Sequence, residues 1–123
     1  MNISTLKVLV VDDSKTMLRI ITNVLKRLSI TDIQTGLDGL EGWELFKNND
    51  FDIVLTDINM PNMNGLELLK AIRKVDSDVP VVMITTEGGK KEVITALKAG
   101  CNQYIVKPFT PDILKEKLKN IIF

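Results

Sequence analysis

The run Leu6-Lys7-Val8-Leu9-Val10-Val11, followed at once by Asp12-Asp13, decides the architecture. It is apolar and β-branched, with one lysine interrupting it. That is the composition of a strand buried on both faces, which needs a sheet with helices on either side. The period then changes: Met17, Leu18, Ile20, Ile21, Val24, Leu25 and Leu28 recur at helical spacing. The alternation continues along the chain. A weak strand is predicted over Ile33–Thr35, then a helix opening on Asp38 with Glu41 at capping-box spacing. Phe51–Thr56 is another apolar run, and Asn64 with Glu67 repeats the cap spacing before Leu66, Leu68, Leu69 and Ile72. Val79–Thr85 reads as a fourth strand with Pro80 near its edge. Lys90–Ala99 reads as a helix stopped by Gly100, and Tyr104–Val106 as a short fifth strand. Thr110-Pro111, a cap followed by proline, opens a last helix running to Phe123. Five strands alternating with five helices predict an α/β fold, (βα)5, with one doubly wound five-stranded parallel sheet.

The chain has 123 residues, enough for one domain and one sizeable core. Lys+Arg and Asp+Glu both number 16, so the net charge is zero and a general nucleic-acid binder is excluded. There is no histidine, which removes His-based catalytic triads, His-ligated zinc and phosphohistidine chemistry within the chain. A single cysteine, Cys101, rules out an internal disulfide and fits a reducing compartment. The start lacks a basic leader, and no apolar run is long enough to insert in a membrane, so the expected address is cytoplasmic.

In such sheets ligands bind beyond the carboxyl ends of the strands. The first strand ends in Asp12-Asp13, the third in Asp57, the fourth in Thr85-Thr86 and the fifth in Lys107-Pro108. Three carboxylates, a hydroxyl and an ammonium therefore converge on one edge. Singly, each reads as a cap or a solvated charge; together, at four of five strand ends, they read as a site. Two carboxylates about 4 Å apart repel by roughly 4 kcal/mol at an effective dielectric of about 20. An all-oxygen cluster of this kind suits Mg2+. An aspartate beside that ion, facing lysine and threonine donors, can attack phosphorus as a nucleophile.

The motifs Val10-Val11-Asp12-Asp13-Ser14, Thr56-Asp57-Ile58-Asn59-Met60-Pro61-Asn62-Met63-Asn64-Gly65, Ile84-Thr85-Thr86-Glu87 and Tyr104-Ile105-Val106-Lys107-Pro108-Phe109 resemble the receiver domains of two-component response regulators. The likeness covers nearly the whole chain and is nearest to the CheY-type receivers of chemotaxis. It implies a flavodoxin-like strand order, and Asp57 as phosphoryl acceptor. It further implies Asp13 as a direct Mg2+ ligand, Asp12 acting mainly through water, and the Asn59 backbone carbonyl as a further ligand. Thr85 would be the switch hydroxyl, Lys107 the phosphoryl-binding cation, and Tyr104 the aromatic whose rotamer follows activation. The Lys107–Pro108 peptide is expected cis. Ile58, where the type commonly has tryptophan, and the Gly88-Gly89 pair are departures.

The partners implied are a chemotaxis-type sensor histidine kinase, a flagellar motor switch protein and a phosphatase, with Val93, Leu97, Val106 and Lys117 on the partner face. One monomeric receiver domain over 1–123 is expected, with no effector domain. A phosphorelay intermediate serving a histidine phosphotransfer protein is the alternative within the class. Two other classes fit worse. A flavin or nucleotide module wants a glycine-rich phosphate loop after the first strand, where this chain has Asp12-Asp13-Ser14-Lys15-Thr16. A phosphohydrolase wants an acid two residues beyond its nucleophile, where this chain has Asn59, which cannot titrate. Met60, Met63, Met83, Trp43 and Cys101 read as packing residues.

Overall fold

A computed structural model describes residues 5–122. Met1–Ser4 and Phe123, and with them the expectations for the chain's start and last residue, lie outside the described residues. The elements run β1 (Lys7–Val11), α1 (Lys15–Arg27), β2 (Asp32–Gly36), α2 (Gly39–Lys47), β3 (Ile53–Thr56), α3 (Gly65–Val75), β4 (Val81–Thr85), α4 (Lys90–Lys98), β5 (Gln103–Val106) and α5 (Pro111–Ile122). All pairings are parallel, in the order β2-β1-β3-β4-β5. This is the flavodoxin-like order already known for CheY-type receivers. The expected (βα)5 sheet is present.

β3 and β4 begin two residues later than their apolar runs suggest. Phe51 and Val79 are buried, but they pack in turns before the ladder starts. Their hydrophobicity reports burial rather than pairing. Alternate residues of the central strands feed two cores. Val8, Val10, Leu55 and Ile84 face α1 and α5 with Leu25 and Leu118. Leu9, Val11, Val54 and Met83 face the other side with Leu68, Leu69 and Ile72 of α3.

Caps set the helix boundaries. Asn64 and Glu67 close a full capping box on α3, and Thr110 caps α5 through the Ile113 amide at 3.2 Å. Asp38 caps α2 by accepting from the Glu41 amide, but the Glu41 carboxylate reaches back to the Leu37 amide, one residue before the cap. At the end of α4, Gly100 has φ +108, and Cys101 N–H and Gly100 N–H donate to Ala96 and Leu97 carbonyls, a Schellman turn.

Candidate functional site: the carboxyl edge of the sheet

Parallel register carries the polar strand ends to one edge. Val11 pairs with Thr56, so Asp12 and Asp57 leave the sheet side by side at the point where the chain's winding reverses between β1 and β3. Thr85 pairs with Val106, so Lys107 follows directly beyond it, and its amide donates to the Thr85 carbonyl at 2.7 Å. The Lys107–Pro108 peptide is cis.

Lys107 Nζ lies 2.7 Å from Asp12 Oδ2 and 3.1 Å from Asp57 Oδ2. Asp57 Oδ1 accepts from the Ile58 amide at 2.6 Å, and Asp12 Oδ1 from the Ser14 amide at 2.9 Å. Asp12 and Asp57 are buried and Asp13 is exposed. Burial pushes the Asp12 carboxyl above its ordinary range, with the Lys107 contact only partly opposing it. Burial pulls the Lys107 ammonium the other way, but its bonds and charge attraction to Asp12 and Asp57 outweigh that and hold its pKa up. One ammonium thus bridges two of the three carboxylates, with Asp13 beside them on the solvent side.

Oxygens of Asp12, Asp13 and Asp57 all lie within 4.8 Å of one another. In a six-coordinate Mg2+ shell with bonds of about 2.1 Å, opposite oxygens are roughly 4.2 Å apart, so the trio fits with small side-chain adjustment. The donors are all oxygen, and Asp13 opens the cluster to water, which Mg2+ retains in its shell.

Thr85 is fully buried at the end of β4, and its Oγ1 accepts from the Glu87 amide at 3.3 Å. Glu87 is the residue that sequence reading left without a role. Its carboxylate accepts from Asn59 Nδ2 at 2.9 Å, and its carbonyl accepts from the Tyr104 hydroxyl. Thr85, Glu87 and Tyr104 therefore form one hydrogen-bonded path from the site to β5. Tyr104 is half-buried, and burial raises its phenol pKa. On the adjoining surface of α4, β5 and α5, Leu97 and Val106 are exposed, whereas Val93 and Lys117 are half-buried. Ile94 of α4 and Ile113 of α5 are also exposed. Asn59 turns its side chain toward Glu87, so only its backbone remains for the carboxylate cluster.

Residues 8–119 match the response regulator receiver domain family. The chain belongs to that family. This receiver is 58% identical over 120 residues to the chemotaxis protein CheY homolog of Campylobacter jejuni, covering 95% of this chain and 92% of that protein. It is likewise 58% identical over 121 residues to the chemotaxis protein CheY1 of Helicobacter pylori, covering 95% and 97%. Among solved structures it resembles CheY of Borrelia burgdorferi in a complex with CheX, BeF3 and Mg2+. There the TM-score is 0.92 and the identity 31%, over 96% of this chain and 90% of that one. The domain is a CheY-like receiver of two-component signalling, and receivers of this type are signalling switches. Among the described residues no helix is long and apolar enough to cross a membrane.

Proposed function

We propose that this receiver is a phosphorylation-driven chemotaxis switch. Asp57 accepts a phosphoryl group from the phosphohistidine of a sensor histidine kinase, with Mg2+ bound, and the phosphorylated form gains affinity for a flagellar motor switch protein. It works as a cytoplasmic monomer that catalyses only its own phosphorylation and dephosphorylation. The observation that carries this reading is the seat of Lys107 Nζ between Asp12 and Asp57, on an edge where three carboxylates meet. The donor histidine lies outside these 123 residues, which contain none.

An Asp57 carboxylate oxygen bonds to phosphorus while the phosphorus–nitrogen bond breaks, and its electron pair stays on the donor imidazole. The product is an acyl phosphate that water later hydrolyses. Asp12, Asp13, Asp57 and the Asn59 carbonyl would hold Mg2+, which supplies charge stabilisation to the phosphoryl oxygens. Lys107 follows those oxygens as a point cation. Thr85 Oγ1 accepts from Glu87, which leaves its own proton to donate to the phosphoryl group. Drawing Thr85 inward pulls on Glu87 and so on Tyr104, next to the exposed Leu97 and Val106. This surface, with Lys90, Lys91 and Lys98 beside it, suits an amphipathic partner helix bearing acidic residues. The Borrelia relative bound to BeF3, Mg2+ and a protein partner supports the same reading.

Acetyl phosphate with Mg2+ should add one phosphoryl mass to the intact protein. EDTA or Asp57→Asn should abolish the addition. Labelling that survives at the wild-type level in Asp57→Asn overturns the nucleophile. Beryllofluoride-dependent capture of motor switch proteins supports the output, and capture of a histidine phosphotransfer protein in their place overturns it.

A further inference from the structure

The loop between β3 and α3, residues 58–64, carries Asn59 and is gripped from two directions. On the α4 side Asn59 Nδ2 donates to Glu87. On the opposite side the loop meets the start of α2 at two points. Asn62 Nδ2 donates to Asp38 Oδ2 at 2.7 Å, and the Gly39 amide donates to the Met63 carbonyl at 3.0 Å. Gly39 approaches so closely that a Cβ there would stand 2.2 Å from that carbonyl oxygen.

Asp38 divides its carboxylate between two tasks. Oδ1 caps α2 by accepting from Glu41 at 2.8 Å, and Oδ2 takes the bond from Asn62, 24 residues away. A cap requires one oxygen; the second serves the loop. Asn62 has φ +69, in the left-handed region that non-glycine residues rarely adopt and that Asn tolerates best. Its side-chain bond to Asp38 helps hold it there.

We infer that Asp38 is a positioning residue for the cation site, acting through Asn62 to fix the loop that supplies the Asn59 carbonyl. The inference rests on the Mg2+ reading given above. A ligand-bearing loop that samples other conformations lowers apparent affinity by the fraction of time it is competent. Untying one flank therefore weakens Mg2+ binding while the carboxylates themselves stay in place.

Three variants test this by calorimetric titration of Mg2+ into metal-free protein. Asp38→Asn keeps a good helix cap but sets an amide donor against the Asn62 donor. Asn62→Gly suits the positive φ and removes the donor with no change in charge. Asp38→Asn combined with Asn62→Asp rebuilds the bond in reverse, with the net charge conserved. Each single variant should raise the Mg2+ dissociation constant about fivefold, and the double variant should recover to within about twofold of wild type. Acetyl phosphate labelling in the single variants should need correspondingly more Mg2+ and approach the wild-type rate when Mg2+ is raised. Wild-type Mg2+ affinity in both single variants, or a double variant that fails to recover, overturns the inference alone. A wild-type protein that takes up no Mg2+ overturns the cation reading and this inference with it.

Discussion

The two loops beside Asp57 are built in opposite ways. The β3–α3 loop is tied internally and externally: Ile58 N–H to Asp57, Gly65 N–H to the Ile58 carbonyl at 2.8 Å, Asn62 to Asp38, and Gly39 N–H to the Met63 carbonyl. It runs into a helix with a full capping box that buries Leu68, Leu69 and Ile72. The β4–α4 loop passes through Gly88 and Gly89, both exposed, and α4 starts on Gly89 with no side-chain cap and buries only Ala96. The far end of α4 is secured by the Schellman turn and by Arg73, whose guanidinium donates to the Gly100 carbonyl at 2.8 and 3.1 Å. Asp57, the proposed phosphoryl acceptor, thus precedes the tied loop and Thr85 precedes the loose one. Segments with few buried contacts are those that move at low cost. On the proposed function, a signal written on the tied side would be read out by α4, which is anchored at its C-terminal end and lacks a side-chain cap at its N-terminal end.

The largest test of this contrast pairs two glycines. A Cβ at Gly65 would lie 1.8 Å from the Asp57 carbonyl oxygen and 2.9 Å from the Ile58 Cα, both backbone atoms that cannot turn aside. A Cβ at Gly88 would meet only the Val106 side chain, at 3.1 Å. Gly65→Ala should destabilise the fold by about 3 kcal/mol and slow labelling of Asp57. Gly88→Ala should change stability by less than about 0.5 kcal/mol. Urea midpoints of the two variants measure the gap. Equal losses would mean that the β4–α4 loop is as constrained as its neighbour.

Next in size is the path from Thr85 into the β4–α4 loop. Thr85→Ala removes the hydroxyl that accepts from Glu87 and leaves the Asp57–Lys107 contact untouched. Asp57 should still be labelled by acetyl phosphate. Coupling between sites is ordinarily about 1–3 kcal/mol, so the partner-affinity gain on phosphorylation, roughly 5–150-fold in wild type, should fall below about threefold. Affinity for the isolated partner with and without beryllofluoride is the measurement. A wild-type gain in the variant would route the coupling elsewhere than through Thr85, Glu87 and Tyr104.

The strand-end groups were legible because each ends a β-branched run, and parallel strands must deliver such ends to one edge. Lys107 and Asp12 stand 95 residues apart in the chain, yet that rule alone brings them together. The two ties on the β3–α3 loop were not legible. Asn59 to Glu87 spans 28 residues and Asn62 to Asp38 spans 24, and neither distance is set by any helix or strand period. Asn, Asp and Glu in loops read as solvated or as caps, and Asp38 does cap α2. Only the tertiary approach of α2 to the loop shows that its second oxygen is also engaged. Glu87 was hidden for the same reason, since two of its three contacts use backbone atoms that no residue type announces.

The smallest effect concerns how the rigid side is closed at its other end. α3 stops at Asp76, whose Oδ1 accepts from the Asp78 and Val79 amides at 2.9 Å each. Those two bonds hold the Asp76 carboxyl below its ordinary value of 3.8. The folded pKa is depressed, so the ionised carboxylate stabilises the fold above pH 3.8, and that contribution fades as pH falls through the lower folded value. Because the group lies near water, screening limits it to about 1 kcal/mol or less. Asp76→Asn keeps an acceptor but loses the charge, so it should lower stability slightly at pH 7, and the difference from wild type should narrow as pH falls below 3.8 toward the lower folded value. Urea midpoints at pH 7 and pH 3.5 test the sign. Amide exchange should quicken at Asp78 and Val79 and stay unchanged across the first turn of α4, which shares no bond with this carboxylate. If α4 loosens as well, the rigid and mobile sides are one cooperative unit, and the contrast between the loops does not extend to how they open.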